Sequence, residues 1–194
     1  MRTLIVCNIM SLDGYYEGPG NNVMALPMDS TFDAYNLERL RAADTLLLGR
    51  ASYQGFMGFW PAVADDPAAS EVHRETGRID RDIDKVVVSD RLTAEDIAPW
   101  QDTTTVVRRA DVVQRIGELK AGPGREILTF GSHTMWNHLL DLGLVDELHL
   151  VVGATVLGGG TPIFTAPAEG LTLQDVRRFD GSQNALLRYA ASAG

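Results

Sequence analysis

The sequence predicts an α/β fold: a mixed, mostly parallel sheet with helices on both faces and an antiparallel hairpin at the C-terminal end. Three observations carry this. Short continuous apolar runs, Leu46-Leu47-Leu48, Val86-Val87-Val88 and Ile127-Leu128, have the pattern of strands buried on both faces. Helical segments alternate with them. The last stretch reads as two strands around the turn Asp180-Gly181-Ser182.

The elements follow in order. Thr3 to Met10 is the first strand, broken by Ser11-Leu12-Asp13-Gly14, and a Gly/Pro/Asn-rich loop runs through Gly18 to Asn22. Asp29 or Ser30 caps a helix whose apolar positions include Phe32, Tyr35, Leu37 and Leu40. The strand Thr45 to Leu48 ends at Gly49-Arg50, where a second helix starts; Pro61 should stop it. The polar stretch Ala62 to Asp84 is read as a loop plus a surface helix. Strands follow at Lys85 to Ser89 and Thr103 to Val107, and Asp111 is expected to cap a helix to Lys120. After the turn Gly122-Pro123-Gly124 comes the strand Glu126 to Phe130; Ser132 is expected to cap a helix to about Leu142, before the strand Glu147 to Val152. In the hairpin, Leu171 to Phe179 and Ala185 to Tyr189, Leu171 and Leu173 are in step while Val176 and Phe179 are not, which predicts a bulge.

Composition bounds the function. A chain of 194 residues without repeats or a dividing linker suits a single domain, 1–194. Lys plus Arg is 17 against 26 Asp plus Glu, a formal charge of -9, which disfavours nucleic acid as a partner. Cys7 stands alone, so an intramolecular disulfide and a Cys-rich zinc site are excluded, and a reducing, cytoplasmic setting is expected. The N-terminal apolar run is interrupted by Asn8 and is too short for a signal peptide or a membrane span.

Three strands end alike, in Gly49-Arg50-Ala51-Ser52, Ser89-Asp90-Arg91 and Gly131-Ser132-His133-Thr134. Ligands of open α/β sheets bind beyond the carboxyl ends of the strands. Small residues there expose backbone N–H groups at helix starts, which suit phosphate, and Arg50 and Arg91 add paired donors. No GxGxxG fingerprint is present.

Four patches in this order resemble the dihydrofolate reductase-like superfamily, and within it the reductase domain of riboflavin biosynthesis and its stand-alone bacterial relatives. They are Ser11-Leu12-Asp13-Gly14-Tyr15; Leu47-Leu48-Gly49-Arg50-Ala51-Ser52-Tyr53 with Phe56 and Trp60; Lys85-Val86-Val87-Val88-Ser89; and Phe130-Gly131-Ser132 with Gly143 to Leu148 and Leu157 to Gly160. The resemblance implies a dihydrofolate reductase-like three-layer fold, NADPH as cofactor, and hydride transfer to a pyrimidine- or pterin-like heterocycle. Its specific form is reduction of 5-amino-6-(5-phosphoribosylamino)uracil, with dihydrofolate reduction second. It implies that Gly49, Arg50 and Ser52 lie near the 2′-phosphate and pyrophosphate, Ser89 and Arg91 beside the 2′-phosphate, and Gly131, Ser132, His133 and Thr134 at the pyrophosphate. Asn8, Ile9 and Tyr16 fall where the nicotinamide carboxamide is met. The family's usual Gly-Gly is Gly131-Ser132 here, so Ser132 either bonds phosphate or hinders it. A homodimer is implied as well.

Reduction of a C=N bond also needs a proton at nitrogen. Dihydrofolate reductases use a carboxylate on the helix before the Gly-Arg strand; Asp33 matches, with Asp29 behind it. On the residues alone, Asp29 is a cap and Asp33 a first-turn acid favoured by the helix dipole. Asp13, Phe56 and Trp60 are substrate-side candidates, although on the residues alone the aromatics read first as core filler. Asp146-Glu147 are adjacent in a strand and face opposite sides. His133 and His138 lie on different helix faces, and His73-Arg74-Glu75 is half of a deaminase zinc signature whose cysteine half is missing, so no metal is expected. Gly153 to Thr161 lacks the lysine of a phosphate loop, and no Gly-x-Ser-x-Gly elbow supports a Ser132 hydrolase. An NADPH-binding protein without turnover is the competing class.

Overall fold

The computed structural model describes residues 1–191. In chain order the elements are β1 (Leu4–Ser11), β2 (Tyr15–Glu17), α1 (Ser30–Ala42), β3 (Ala43–Gly49), α2 (Arg50–Ala64), α3 (Glu71–Asp82), β4 (Asp84–Val88), α4 (Ala94–Ile97), β5 (Thr104–Val107), α5 (Val112–Ala121), β6 (Glu126–Phe130), α6 (His133–Asp141), β7 (Glu147–Gly153), β8 (Thr161–Pro162), β9 (Leu171–Arg178) and β10 (Ala185–Ala191). Eight strands form one sheet in the order β5-β4-β3-β6-β1-β7-β10-β9, and β2 pairs with β8 beside it. The first six run parallel. β10 is antiparallel to both β7 and β9.

Alternation along β1 explains the layers. Ile5, Cys7 and Ile9 point to one face, with Phe32, Tyr35 and Leu40 of α1, Tyr53 and Phe56 of α2 and Ile79 of α3. Leu4 and Val6 point to the other, with Val112 and Ile116 of α5 and Trp136 and Leu139 of α6. Leu4, Leu46, Leu47 and Leu48 are wholly shielded from solvent, each contributing roughly 1.5–3 kcal/mol. No helix among the described residues is long and apolar enough to cross a membrane.

Four local expectations are corrected or refined. α2 does not stop before Pro61 but runs to Ala64. Packing carries it past the proline: Ala64 is buried, and Gly77 of α3 lies so close that a Cβ there would meet the Trp60 carbonyl oxygen at 2.5 Å. Asp111 occupies the N-cap position of α5 without a side-chain capping bond, because a 3-10 turn over Arg109–Asp111 leads into the helix. Ser132 does not cap α6 either; it is left-handed, with φ 54° and ψ 32°, and α6 ends at Asp141. Asp29 rather than Ser30 caps α1, taking the Thr31 and Phe32 amides. The hairpin bulge is present: Tyr189 pairs with Leu173 and Arg188 with Asp175, which leaves Gln174 over. Leu171, Leu173 and Val176 therefore share a face.

Candidate active site

The carboxyl ends of β3, β6 and β1 lie side by side. β1 pairs with β6 only as far as Cys7↔Phe130, yet continues against β7 to Ser11↔Gly153. The β6-facing backbone edge of Asn8, Ile9 and Met10 is thus open. Ile9 is buried in the core, so only its backbone reaches that gap. Below the gap the chain turns from β6 into α6 through Gly131 and Ser132, both left-handed with φ 54°.

This corner is braced from three elements. Asn8 donates its side-chain amide to the Gly131 carbonyl at 3.2 Å. The Gly49 amide donates to Ser132 Oγ at 3.0 Å, and the Ser132 amide donates to Ser52 Oγ at 2.7 Å. A Cβ on Gly131 would meet Ser52 Oγ at 2.8 Å, so glycine is needed for space as well as for φ. Ser132 is buried and its hydroxyl is turned to Gly49, away from the surface. Tyr16 stacks on His133 with ring centroids 4.7 Å apart. Burial pushes the Tyr16 phenol up to about 12, so it remains a donor at neutral pH. His133 Nε2 donates to the Pro162 and Ile163 carbonyls, at 2.8 and 3.0 Å, and so links α6 to β8. α2 and α6 both begin at this corner, and neither carries a side-chain cap. The bonds between Gly49, Ser52 and Ser132 bring the starts of the two helices together, with first-turn amides that suit an anion.

Other sequence-predicted residues flank the corner without joining its network. Arg50 and Arg91 are exposed, Arg50 reaching Gln54 at 3.3 Å. Arg50 also faces α4: the Asp96 carboxyl sits below its ordinary range, first through the Thr93 amide and hydroxyl and last through Arg50. Ser89 is buried, and its hydroxyl accepts the Arg91 and Leu92 amides at 3.1 Å, shaping the turn after β4. Thr134 is exposed in the first turn of α6. Asp13 is committed elsewhere: its carboxylate accepts the Leu157 and Gly158 amides at 3.0 and 2.7 Å and straps the two loops together. Its acidity is strengthened to about 2, chiefly by the Ser11 hydroxyl.

On the α1–α3 face, Asp33 Oδ2 lies 2.9 Å from His73 Nε2. The His73 ring meets Trp60 edge-on at 5.9 Å. Phe56 packs one turn before Trp60 against the core that holds Ile9 and Phe32. Asp29 is fully used: Oδ1 takes the capping amides and Oδ2 accepts from Ser182 at 2.5 Å. His73 has no assigned role in the sequence reading beyond the broken zinc signature. The signal available was its place three residues after Ser70, whose hydroxyl accepts the His73 amide at 3.1 Å. Asp146 and Glu147 do diverge: Asp146 pairs with Lys120 at 2.7 Å, Glu147 with His149 at 2.8 Å.

Two half-open concavities lie outside this corner. One of about 340 Å³ sits at the hairpin tip, Arg178 to Gln183. Another of about 210 Å³ lies at the opposite end of the sheet, beside Arg2, Lys85 and Arg115. The candidate site is the corner at the carboxyl ends of β1, β3 and β6, outside both.

The RibD C-terminal domain family matches residues 2–185 of the chain. The uncharacterized protein YyaP of Bacillus subtilis (strain 168) is 28% identical over 175 residues, covering 90% of this chain and 87% of that protein. A pyrimidine reductase-like protein from Corynebacterium diphtheriae superposes with a TM-score of 0.65 at 16% identity, covering 100% of this chain and 93% of that one. Dihydrofolate reductase from Enterococcus faecalis, complexed with NADP(H), superposes with a TM-score of 0.59 at 13% identity, covering 97% and 95%. The fold is dihydrofolate reductase-like, as the sequence resemblance implied.

Proposed function

The chain belongs to the RibD C-terminal domain family, and from that premise we propose that it is an oxidoreductase using NADPH to reduce a pyrimidine- or pterin-like heterocycle. Our first choice of substrate is 5-amino-6-(5-phosphoribosylamino)uracil. The observation that carries this reading is the corner where α2 and α6 begin uncapped, tied by Gly49, Ser52, Gly131 and Ser132.

The residues present fit a phosphorylated dinucleotide. Gly131 keeps the backbone bare where a side chain would collide with Ser52. The amides at the starts of α2 and α6, Thr134 among them, suit the pyrophosphate. Arg50 and Arg91, beside the turn shaped by Ser89, suit the 2′-phosphate. The open β1 edge at Asn8 and Ile9 suits the carboxamide, and Tyr16, backed by His133, suits the ring's surroundings. When bound, the reduced nicotinamide supplies the hydride. Phe56 and Trp60 wall the substrate side, and Asp33 stands on the side from which a proton reaches nitrogen. Asp13, through its loop strap, supports that side from a distance.

A homodimer is part of the proposal. Leu173 and Val176 are 50% and 55% exposed, on the face shared with Leu187 and Tyr189, continuous with the buried Leu148 and Leu150 of β7. A second copy suits this open apolar face.

The test is a cofactor-fluorescence titration with NADPH and NADH, followed by turnover on a heterocycle panel. Arg50→Ala should weaken NADPH by roughly 10–100-fold, the loss of one charge-assisted contact, and NADH far less. Equal losses refute Arg50 as the 2′-phosphate partner. NADPH binding without oxidation by any heterocycle favours a binding protein instead.

A further inference from the structure

We propose that His73 is the proton donor of this reductase and that Asp33 orients it. The inference rests on the reading given above and deepens it. Three residues from three helices meet: Asp33 in the first turn of α1, Trp60 of α2 and His73 in the first turn of α3. Asp33 and Trp60 are the acid-side and wall candidates, and His73 touches both.

The geometry decides which group gives the proton. An imidazole has two ring nitrogens, so His73 can bond Asp33 through one and present N–H from the other, whereas the Asp33 oxygen is already engaged by His73. His73 Nε2 points to Asp33 Oδ2 at 2.9 Å, so the carboxylate fixes Nε2–H and stabilises the imidazolium. Nδ1 has no partner among the described residues, and the side chain is 36% exposed. The ring is held by the Trp60 edge and the Asp33 bond, its backbone amide by the Ser70 hydroxyl, and α3 itself is set close against α2 at Gly77. A half-exposed ion pair that merely joined two helices would not need this.

Reduction of a ring C=N takes a hydride at carbon, supplied by the dinucleotide, which leaves oxidised, and a proton at nitrogen. The His73 Nδ1–H bond breaks as the substrate N–H bond forms. His73 is left neutral with its proton on Nε2, and water returns the proton to Nδ1. Among the other charges on the packed elements, Glu71 pairs with Arg74 and Arg78, Glu75 with Arg41, and Asp29 is held in its cap. Asp80, two turns along α3 from His73, is buried with Oδ2 unpartnered among the described residues, and burial pushes its carboxyl up to about 6.

Three variants and one spectroscopic measurement test this. His73→Gln keeps an N–H for Asp33 but has no titrating nitrogen; kcat should fall about 100-fold with KM and NADPH affinity within twofold. Asp33→Asn should move the high-pH decline of kcat to lower pH, because the imidazolium loses its counter-charge. ¹⁵N NMR of the dinucleotide-free protein should find the neutral His73 ring protonated at Nε2, a preference lost in Asp33→Ala. Wild-type kcat in His73→Gln, or an Nδ1-protonated ring in the native protein, overturns the assignment while leaving the reductase reading intact. Failure of the native protein to bind NADPH overturns both.

Discussion

Gly77→Ala tests the helix contact on which the His73 position depends. Away from any contact, alanine in a helix interior is favoured over glycine by about 0.8–1.0 kcal/mol. At Gly77 the new methyl would lie 2.5 Å from the Trp60 carbonyl oxygen, 2.8 Å from the Ala64 nitrogen and 3.0 Å from the Ala64 Cα. All three are backbone atoms of α2, so no side chain can swing aside. Overpacking of this kind costs about 1–3 kcal/mol, and with hard backbone atoms the upper half applies. The balance is a net loss of about 1–2 kcal/mol, or a Tm lower by roughly 3–6 °C for a chain of this size. Gly55→Ala, in α2 itself with nothing within 4 Å, is the control and should gain up to about 1 kcal/mol. Urea unfolding at neutral pH measures both. If the two variants shift in the same direction, α2 and α3 are not in backbone contact and the argument fails.

Further outcomes are expected elsewhere. Gly131→Ala combines a left-handed φ, costing about 1–2 kcal/mol, with a collision at Ser52 Oγ; NADPH affinity should fall at least tenfold, and an unchanged fluorescence titration would falsify the corner as the phosphate cradle. His149 is fully buried between Tyr35 and Glu147, each at 2.8 Å, and burial holds its pKa below the ordinary 6.5. The unfolded chain therefore takes up this proton first, so stability is full above about pH 6.5 and declines below it, by at most about 1.4 kcal/mol per pH unit. Urea midpoints from pH 7.5 to 5.5 check this, and an equally steep decline in His149→Gln would remove His149 as the cause. Leu173→Lys with Val176→Lys should turn a dimer into a monomer in sedimentation velocity; an unchanged sedimentation coefficient sinks that face as the contact.

What the sequence disclosed follows from the range of the interactions. β3, β4 and β6 show as unbroken apolar runs because strands covered on both faces have no polar side to display. The Gln174 bulge is legible because a slipped side-chain phase lies within one strand. The run of α2 past Pro61 depends on Gly77, and the Asp33–His73 pair spans 40 positions; no local pattern records such contacts. Ser132 misleads for a related reason: serine after a strand resembles a cap, but its hydroxyl is claimed by Gly49, 83 positions away. The phosphate-side residues stand at strand ends, where glycine and serine are visible locally, whereas the acid side is assembled by packing among three helices.

The slipped register at Gln174 also bears on how the protein survives at high concentration. β9 is the outermost strand, and an uninterrupted row of free peptide groups there would invite another polypeptide to extend the sheet without limit. The extra residue bends that border midway, and Asp175, Arg177 and Arg178 line it with charge. Fibrillar growth from this margin is thereby discouraged, while the broad apolar side stays free for closed, self-limiting association.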